Sequence, residues 1–426
     1  MGPSWYWMPD VFEQYFAQFG KKPSDYYELV RLDPSYEVIF GKGDSMEVPA
    51  NMQELEAMFE RYEPGSSHKL RQFLREAQYK YEVGMNEFVH KPSHSIMEFA
   101  DTRILMSLFR LQMFTSISKH IRKLFKHEQL IQLLEFPVLF LGATPENTPA
   151  LYSMMNYADM ALGTWYPKGG MHKIVEGMVA VAEELGVDIK LDEEVQQIYV
   201  PNGHATRVIT QNGEYEADIV VGGADYHHVE QHLLQPEHRM YSPSYWDKRT
   251  MAPSSLLFYL GVDKKIEGLH HHNLYFDADF KKHAVFYVCA PSVTDPSVAP
   301  AGKENLFILI PLAPGLEDTD EKREQYFDIV MGRLEALTGQ RIRPHISYKR
   351  AFAHRDFEKD YHAFKGNAYG LANTLFQTAF LKPKLKSKKV SNLYYTGQLT
   401  TPGPGVPPSL ISGSVVANEI YKAVKP

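Results

Sequence analysis

Residues 396–409 read Thr396-Gly397-Gln398-Leu399-Thr400-Thr401-Pro402-Gly403-Pro404-Gly405-Val406-Pro407-Pro408-Ser409. A β-like stretch, Ser391 to Tyr395, comes just before, and an apolar helix is expected from Leu410 to Val424. The glycines at 397, 403 and 405 remove side chains where backbone must run close to something. The prolines fix the direction of the chain, and proline just inside a helix start is compatible with that start. Strand, Gly/Pro turn and helix N-terminus together make a cradle for electron-rich ligand atoms. The same pattern also serves as an ordinary tight strand-to-helix connection.

Working back from that turn, strands and helices interleave, which places the chain in the α/β or α+β class. Spacing predicts helices over 10–19, from Asn51 as N-cap, over 67–89, over 95–126, over 172–186 with Gly186 as C-cap, and over 322–337. Apolar or alternating runs predict strands over 187–200, 205–210, 218–221, 255–262, 284–289 and 306–312. Between 337 and 390 the pattern reads mainly as loop.

The 426 residues allow roughly two or three domain-sized units, and 44% hydrophobic content supplies a large core. Twenty-six Tyr and 24 Phe suit either a big apolar cavity or a big core. A net charge of −7 argues against a nucleic-acid partner, which asks for a basic footprint. No run of 18 or more apolar residues predicts a membrane span, and the first residues lack the pattern of a signal peptide. Cys289 is the only cysteine, so neither an intrachain disulfide nor a cysteine metal cluster can form. That suits a reducing, cytoplasmic setting, and the apolar surroundings of Cys289 read as a buried structural thiol.

No G-x-G-x-x-G, Walker loop, H-E-x-x-H or G-x-S-x-G occurs. His270-His271-His272 could suggest a metal. Adjacent histidines on a strand point to opposite faces, and no cysteine or carboxylate lies at ligand spacing nearby in sequence, so a packed or solvated role is preferred. The apolar stretch from Ile104, followed by Lys119, Arg122, Lys123 and Lys126, fits a helix lying in a bilayer surface. It also fits a buried helix whose cations offset its C-terminal dipole, and burial is the preferred reading. Met97, Met106 and Met113 are either channel-lining or plain core.

Six stretches carry a resemblance: Gly2-Pro3-Ser4-Trp5-Tyr6 with Met8-Pro9-Asp10; Trp165-Tyr166-Pro167-Lys168-Gly169-Gly170-Met171; Gly223-Ala224-Asp225-Tyr226; Ala290-Pro291-Ser292-Val293-Thr294-Asp295 with Ala299-Pro300; Lys365-Gly366-Asn367-Ala368-Tyr369-Gly370; and Tyr395 through Ser414. In this order they make the chain resemble the bacterial phytoene desaturases and their carotenoid-oxidoreductase relatives along essentially its whole length. The resemblance implies an amine-oxidase-like flavoprotein with FAD across a Rossmann-type domain, an α+β substrate domain holding an apolar polyene, and a helical, membrane-facing region. It implies desaturation by hydride transfer to the flavin and peripheral attachment to a membrane surface, with the electron acceptor open. Isomerase, saturase or terminal-oxidase chemistry on the same scaffold, and a non-catalytic prenyl-binding role, are the alternatives.

The family's opening strand, glycine fingerprint and acidic ribose contact would precede the position matched by Met1, so the Rossmann-type domain is expected here in truncated form. The implied division is 1–50, remainder of the N-terminal segment; 51–165, helical region; 166–235, FAD segment; 236–385, substrate sheet; and 386–426, the final FAD strand, turn and helix. Gly397, Gln398, Pro402, Gly403 and Gly405 would line the flavin ring and ribityl chain. Val195 would hold the adenine through backbone. Asp225 would anchor a loop at the cofactor or simply cap one. Trp165, Tyr166 and Lys168 would border the reacting region. No catalytic acid or base is implied. The helix start offers Val406, Ser409 and Leu410 as N–H donors to the ring, since Pro407 and Pro408 have none.

Overall fold

The structure is a computed structural model; it describes residues 4–93, 111–113, 115–141, 144–276, 285–374, 377 and 381–425. In chain order the strands are β1 (Leu29–Arg31), β2 (Tyr36–Gly41), β3 (Asp44–Val48), β4 (Trp165–Pro167), β5 (Val195–Tyr199), β6 (Arg207–Thr210) and β7 (Glu214–Glu216). They continue as β8 (Val220–Gly222), β9 (Ser254–Val262), β10 (His272–Tyr275), β11 (Phe286–Cys289), β12 (Glu304–Leu312), β13 (Ile346–Phe352) and β14 (Leu393–Tyr395).

A seven-stranded mixed sheet runs β13-β9-β12-β11-β10-β2-β3. Its strands are antiparallel except for β10 against β2. Tyr36–Val48 therefore joins the same sheet as residues 254–352. The β9 run, Ser-Ser-Leu-Leu-Phe-Tyr-Leu-Gly-Val, is apolar on both faces because both faces are used. Leu256, Phe258 and Leu260, with Leu306, Ile308 and Ile310 of β12, pack into one core with Phe327, Val330, Met331 and Leu334 of the helix Asp320–Thr338. Their neighbours Ser255, Leu257 and Tyr259 point the other way.

A second unit is built around β14, which pairs in parallel with β8. The helix Val406–Val424 follows β14 through the Gly/Pro turn. Helix His172–Glu184 ends before Gly186 in the left-handed region. The expected strand over 187–200 forms only as β5, which pairs with β6 in a three-stranded sheet with β7. Val187 is 53% and Leu191 81% exposed, with no strand beside them among the described residues. Without a partner an alternating pattern does not make a strand.

The helices Met52–Tyr62, Ser66–Val83, Ile117–Leu124 and Glu128–Glu135 bring Phe59, Phe73, Ile121 and Leu134 into one core. The Asn51 side chain caps the first of these by accepting from the amides of Gln53 and Glu54. Ile117, Ile121 and Phe125 are fully buried while Lys119, Arg122 and Lys123 face solvent. Over those residues the buried-helix reading is the one realised. Met97, Met106 and the stretch 104–110 lie outside the described residues. No described helix is long and apolar enough to cross a membrane.

Candidate functional site

The open face of the large sheet and the Gly/Pro turn line one cavity of about 1380 Å³. That exceeds the roughly 300–1,000 Å³ of a drug-sized ligand pocket. Ser255, Leu257 and Tyr259 of β9, Phe307 and Leu309 of β12 and Tyr287 of β11 form one wall. Cross-strand register explains the wall, since Phe307 pairs with Tyr259 and Leu309 sits between Leu257 and Tyr287. Trp5, Trp7, Met8 and Phe12 close it on one side, and Gln398 with the unbroken run Thr401 to Ile411 on another. Met85, Phe88, Met154, Met155 and Met113 add flexible apolar surface.

The turn is held open by its backbone. Gly397, Gly403 and Gly405 have φ of 102°, 143° and 110°, where only glycine is at ease. Buried Ser412 ties the turn to the helix: its hydroxyl meets Thr396 Oγ1 at 3.0 Å and Thr400 Oγ1 at 2.9 Å, and accepts from the Gly397 amide at 3.2 Å. The amides of Gly403, Gly405 and Val406 have no intramolecular partner among the described residues. Ser409 does not share that freedom, because its amide donates to Gly405 O at 3.0 Å. Leu410, one residue further along, donates within the helix. The donor role assigned to Val406, Ser409 and Leu410 therefore contracts to Val406, joined by the two glycines.

Among the other expected site residues, Gln398, Pro402, Gly403, Gly405, Val406 and Ser409 line the cavity. Gly397 supports the turn from behind. Asp225 caps the helix Tyr226–His232 and accepts from the amide of Phe364 at 3.2 Å and from Asn367 Nδ2. Burial raises its pKa. Asn367 Oδ1 in turn accepts from Gln398 Nε2 at 3.1 Å, so Asp225 reaches the cavity wall through two side chains. Val195 sits opposite Thr210 in the small sheet, away from the cavity lining. Trp165, Tyr166 and Lys168 do not line the cavity either. The first two pair with β1, Tyr166 donates to Asp295 Oδ2 at 3.3 Å, and Lys168 pairs with Glu28 at 3.2 Å. Sequence reading missed the wall residues Leu257, Phe307 and Leu309; their signal was a strand apolar on both faces.

The fold brings a cysteine to the histidines that sequence spacing had kept apart. Register places Cys289 opposite His272, and the ligand atoms of His271, His272 and Cys289 lie within 4.8 Å of one another. Each imidazole already has one nitrogen engaged, His271 with Thr294 Oγ1 at 2.9 Å and His272 with Tyr287 Oη at 2.6 Å. Burial pushes the Cys289 thiol up to about 12 and the His271 imidazole down to about 3, so the group is uncharged at neutral pH.

A polar brace supports the Trp7 side of the cavity. Trp7 Nε1 donates to Thr164 Oγ1 at 2.8 Å, Thr164 Oγ1 meets Asp159 Oδ1 at 3.2 Å, and Tyr36 donates to Asp159 Oδ2 at 2.6 Å. Burial raises the Asp159 carboxyl to about 7. A raised acid binds its proton more tightly in the folded state, so this group lowers stability as pH rises from its unfolded value near 4 to about 7. Asp159→Asn will remove up to about 1.4 kcal/mol per pH unit of that negative slope. Denaturant unfolding of both proteins at pH 4.5, 6 and 7.5 checks it; parallel curves would refute it.

Residues 1–421 match the family described as flavin containing amine oxidoreductase. The chain is 42% identical to the carotenoid 3,4-desaturase of Haloarcula japonica, over all of this chain and 88% of that protein. The chain belongs to the flavin-containing amine oxidoreductases, in the carotenoid desaturase family. The chain is also 31% identical to the 4,4'-diapophytoene desaturase (4,4'-diaponeurosporene-forming) of Staphylococcus aureus, over all of this chain and 89% of that protein. Among solved structures, an oxidoreductase from Methanosarcina mazei shares the fold, with a TM-score of 0.59 and 15% identity over 98% of this chain and 86% of that one. The chain is thus an oxidoreductase with a flavin cofactor. The turn suits such a group: unpartnered amides, glycines free of side chains and a roomy hollow all face where a flat, electron-rich ring would lie.

Proposed function

We propose that this flavoprotein desaturates phytoene or a related carotenoid, with FAD against the Gly/Pro turn and the polyene along the open face of the large sheet. One observation carries the reading: a single cavity of about 1380 Å³ is lined both by the glycine turn and by a broad apolar wall. Bound flavin supplies the hydride acceptor, a task no amino-acid side chain performs. Leu257, Phe307 and Leu309 bind hydrocarbon and keep water away. The Val406 amide and the positive end of its helix favour negative charge on the ring. The parallel pairing of β8 with β14 supports grouping 166–235 with 386–426 as the cofactor half. The large sheet supports assigning 236–385 to substrate.

A polyene of this kind dissolves in lipid, so uptake from a cytoplasmic membrane surface belongs to the same proposal. Flotation of the protein with lipid vesicles is the expected result; its absence would remove the membrane part alone.

Incubating the purified protein with FAD, a quinone acceptor and phytoene in vesicles will yield more strongly coloured polyenes. Unchanged phytoene with flavin bound would exclude phytoene, and the same result with related carotenoids would reject the assignment. Val406→Pro gives a narrower test, because proline at the first helical position deletes the amide without breaking the helix. Flavin affinity will fall about tenfold, the worth of one charge-assisted hydrogen bond at ~1.5 kcal/mol. Titration of the apoprotein with FAD measures it.

A further inference from the structure

Lys382 is 2% exposed, and its ammonium nitrogen has no hydrogen-bond partner among the described residues. An isolated ammonium so placed costs several kcal/mol unless something answers it. No carboxylate does: the depression of the Lys382 amine to about 7 comes from burial alone. The position is not random. A Cβ built on Gly403 would lie 2.7 Å from Lys382 Nζ and 3.4 Å from Asn373 Oδ1, so both side chains lie against the same glycine of the turn. Asn373 Oδ1 and Thr401 Oγ1 are also buried without partners, and both residues line the cavity. Asn373, Thr401 and Gly403 line the cavity, whose opposite wall is hydrocarbon, and Lys382 Nζ lies against Gly403 from outside that lining.

Resting on the flavin reading above, we infer that Lys382, with Asn373 and Thr401, forms a receptor for the electron-rich pyrimidine end of the flavin, and that Lys382 sets how strongly the protein favours the reduced, more negative form. The Val406 amide and the Lys382 cluster approach the turn from different elements, so they act as separate contributions. Beside a negatively charged ring the Lys382 amine holds its proton and acts as a charge on a flexible stem, able to follow the ring as it gains electrons. Only groups that bind the reduced form better than the oxidised form shift the balance between them. Lys382 does so because its attraction grows with the negative charge it faces.

The test is redox titration of the FAD-loaded protein at pH 7, for wild type, Lys382→Met and Lys382→Arg. Lys382→Met will bind reduced flavin at least tenfold less tightly relative to oxidised flavin, a fall in potential of about 30 mV. Lys382→Arg, which keeps the charge, will recover most of that difference. Sulfite affinity, which rises with positive charge near the ring, will drop at least tenfold in Lys382→Met. Bound FAD with potential and sulfite affinity unchanged in Lys382→Met would overturn the role of Lys382 and leave the flavin reading standing. Failure of the wild-type protein to take up FAD would overturn both. Should Lys382→Met not fold, Thr401→Val carries the test: a threefold loss of sulfite affinity supports the receptor, and none refutes it.

Discussion

Replacing Gly405 with alanine will strip the protein of flavin while leaving its cores folded. Gly405 has φ 110° and ψ 159°, a region that side-chain-bearing residues essentially do not occupy, at a cost of about 1–3 kcal/mol. An added Cβ would also lie 3.3 Å from Cδ of Pro408, a ring locked into the first helical turn and unable to swing aside. The turn cannot relax the other way, because Ser412 holds it through Thr396, Gly397 and Thr400. The strain will therefore emerge as displacement of Val406 and its amide. At least a tenfold loss of FAD affinity follows, with far-UV circular dichroism unchanged. Full flavin content in Gly405→Ala would show that the turn does not touch the cofactor.

Leu257→Asp will abolish turnover of a hydrocarbon polyene without dislodging the flavin. Leu257 lies in the middle of the cavity wall, flanked along β9 by Ser255 and Tyr259 and across the ladder by Leu309. Its side chain faces the cavity and belongs to none of the packed cores, so the substitution empties little of the interior. Leu257 is 7% exposed with the cavity empty, so a carboxylate there keeps only the little water that the cavity admits. A polyene entering must strip that water, which costs several kcal/mol with no partner offered in return. The expected fall in kcat/KM exceeds a hundredfold, with FAD affinity within threefold of wild type. A variant that converts phytoene normally would place the substrate elsewhere.

Some of this was legible in the residues. The Gly/Pro turn announced a backbone that must approach a ligand, because glycine and proline constrain the chain through local geometry alone. The helix beginning at Val406 was expected near its true place for the same reason. The strands over 255–262 and 306–312 were also plain, since apolar runs of that length with β-branched and aromatic residues favour a sheet. What sequence hid was partnership. β13 reads as loop because its middle residues, Ser347 to Arg350, face solvent at the sheet edge. The parallel pairing of β2 with β10 joins segments too far apart in sequence for any local pattern to reveal. Trp165 and Tyr166 resembled cavity residues by motif, yet hydrogen bonding to β1 fixes them in a small separate ladder. Lys382 was invisible: one lysine in a basic stretch looks solvated until the fold buries it.

The hollow is assembled from Trp5, Trp7, Met8 and Phe12 on one side and from Gln398 through Ile411 on another. A ribosome must therefore produce nearly everything between them before the two halves can meet. Through most of synthesis the greasy sheet face stands uncovered, a template for clumping. Yield in the cell should accordingly respond to chaperone supply and to riboflavin in the growth medium, since whatever seals that hollow early rescues the nascent protein.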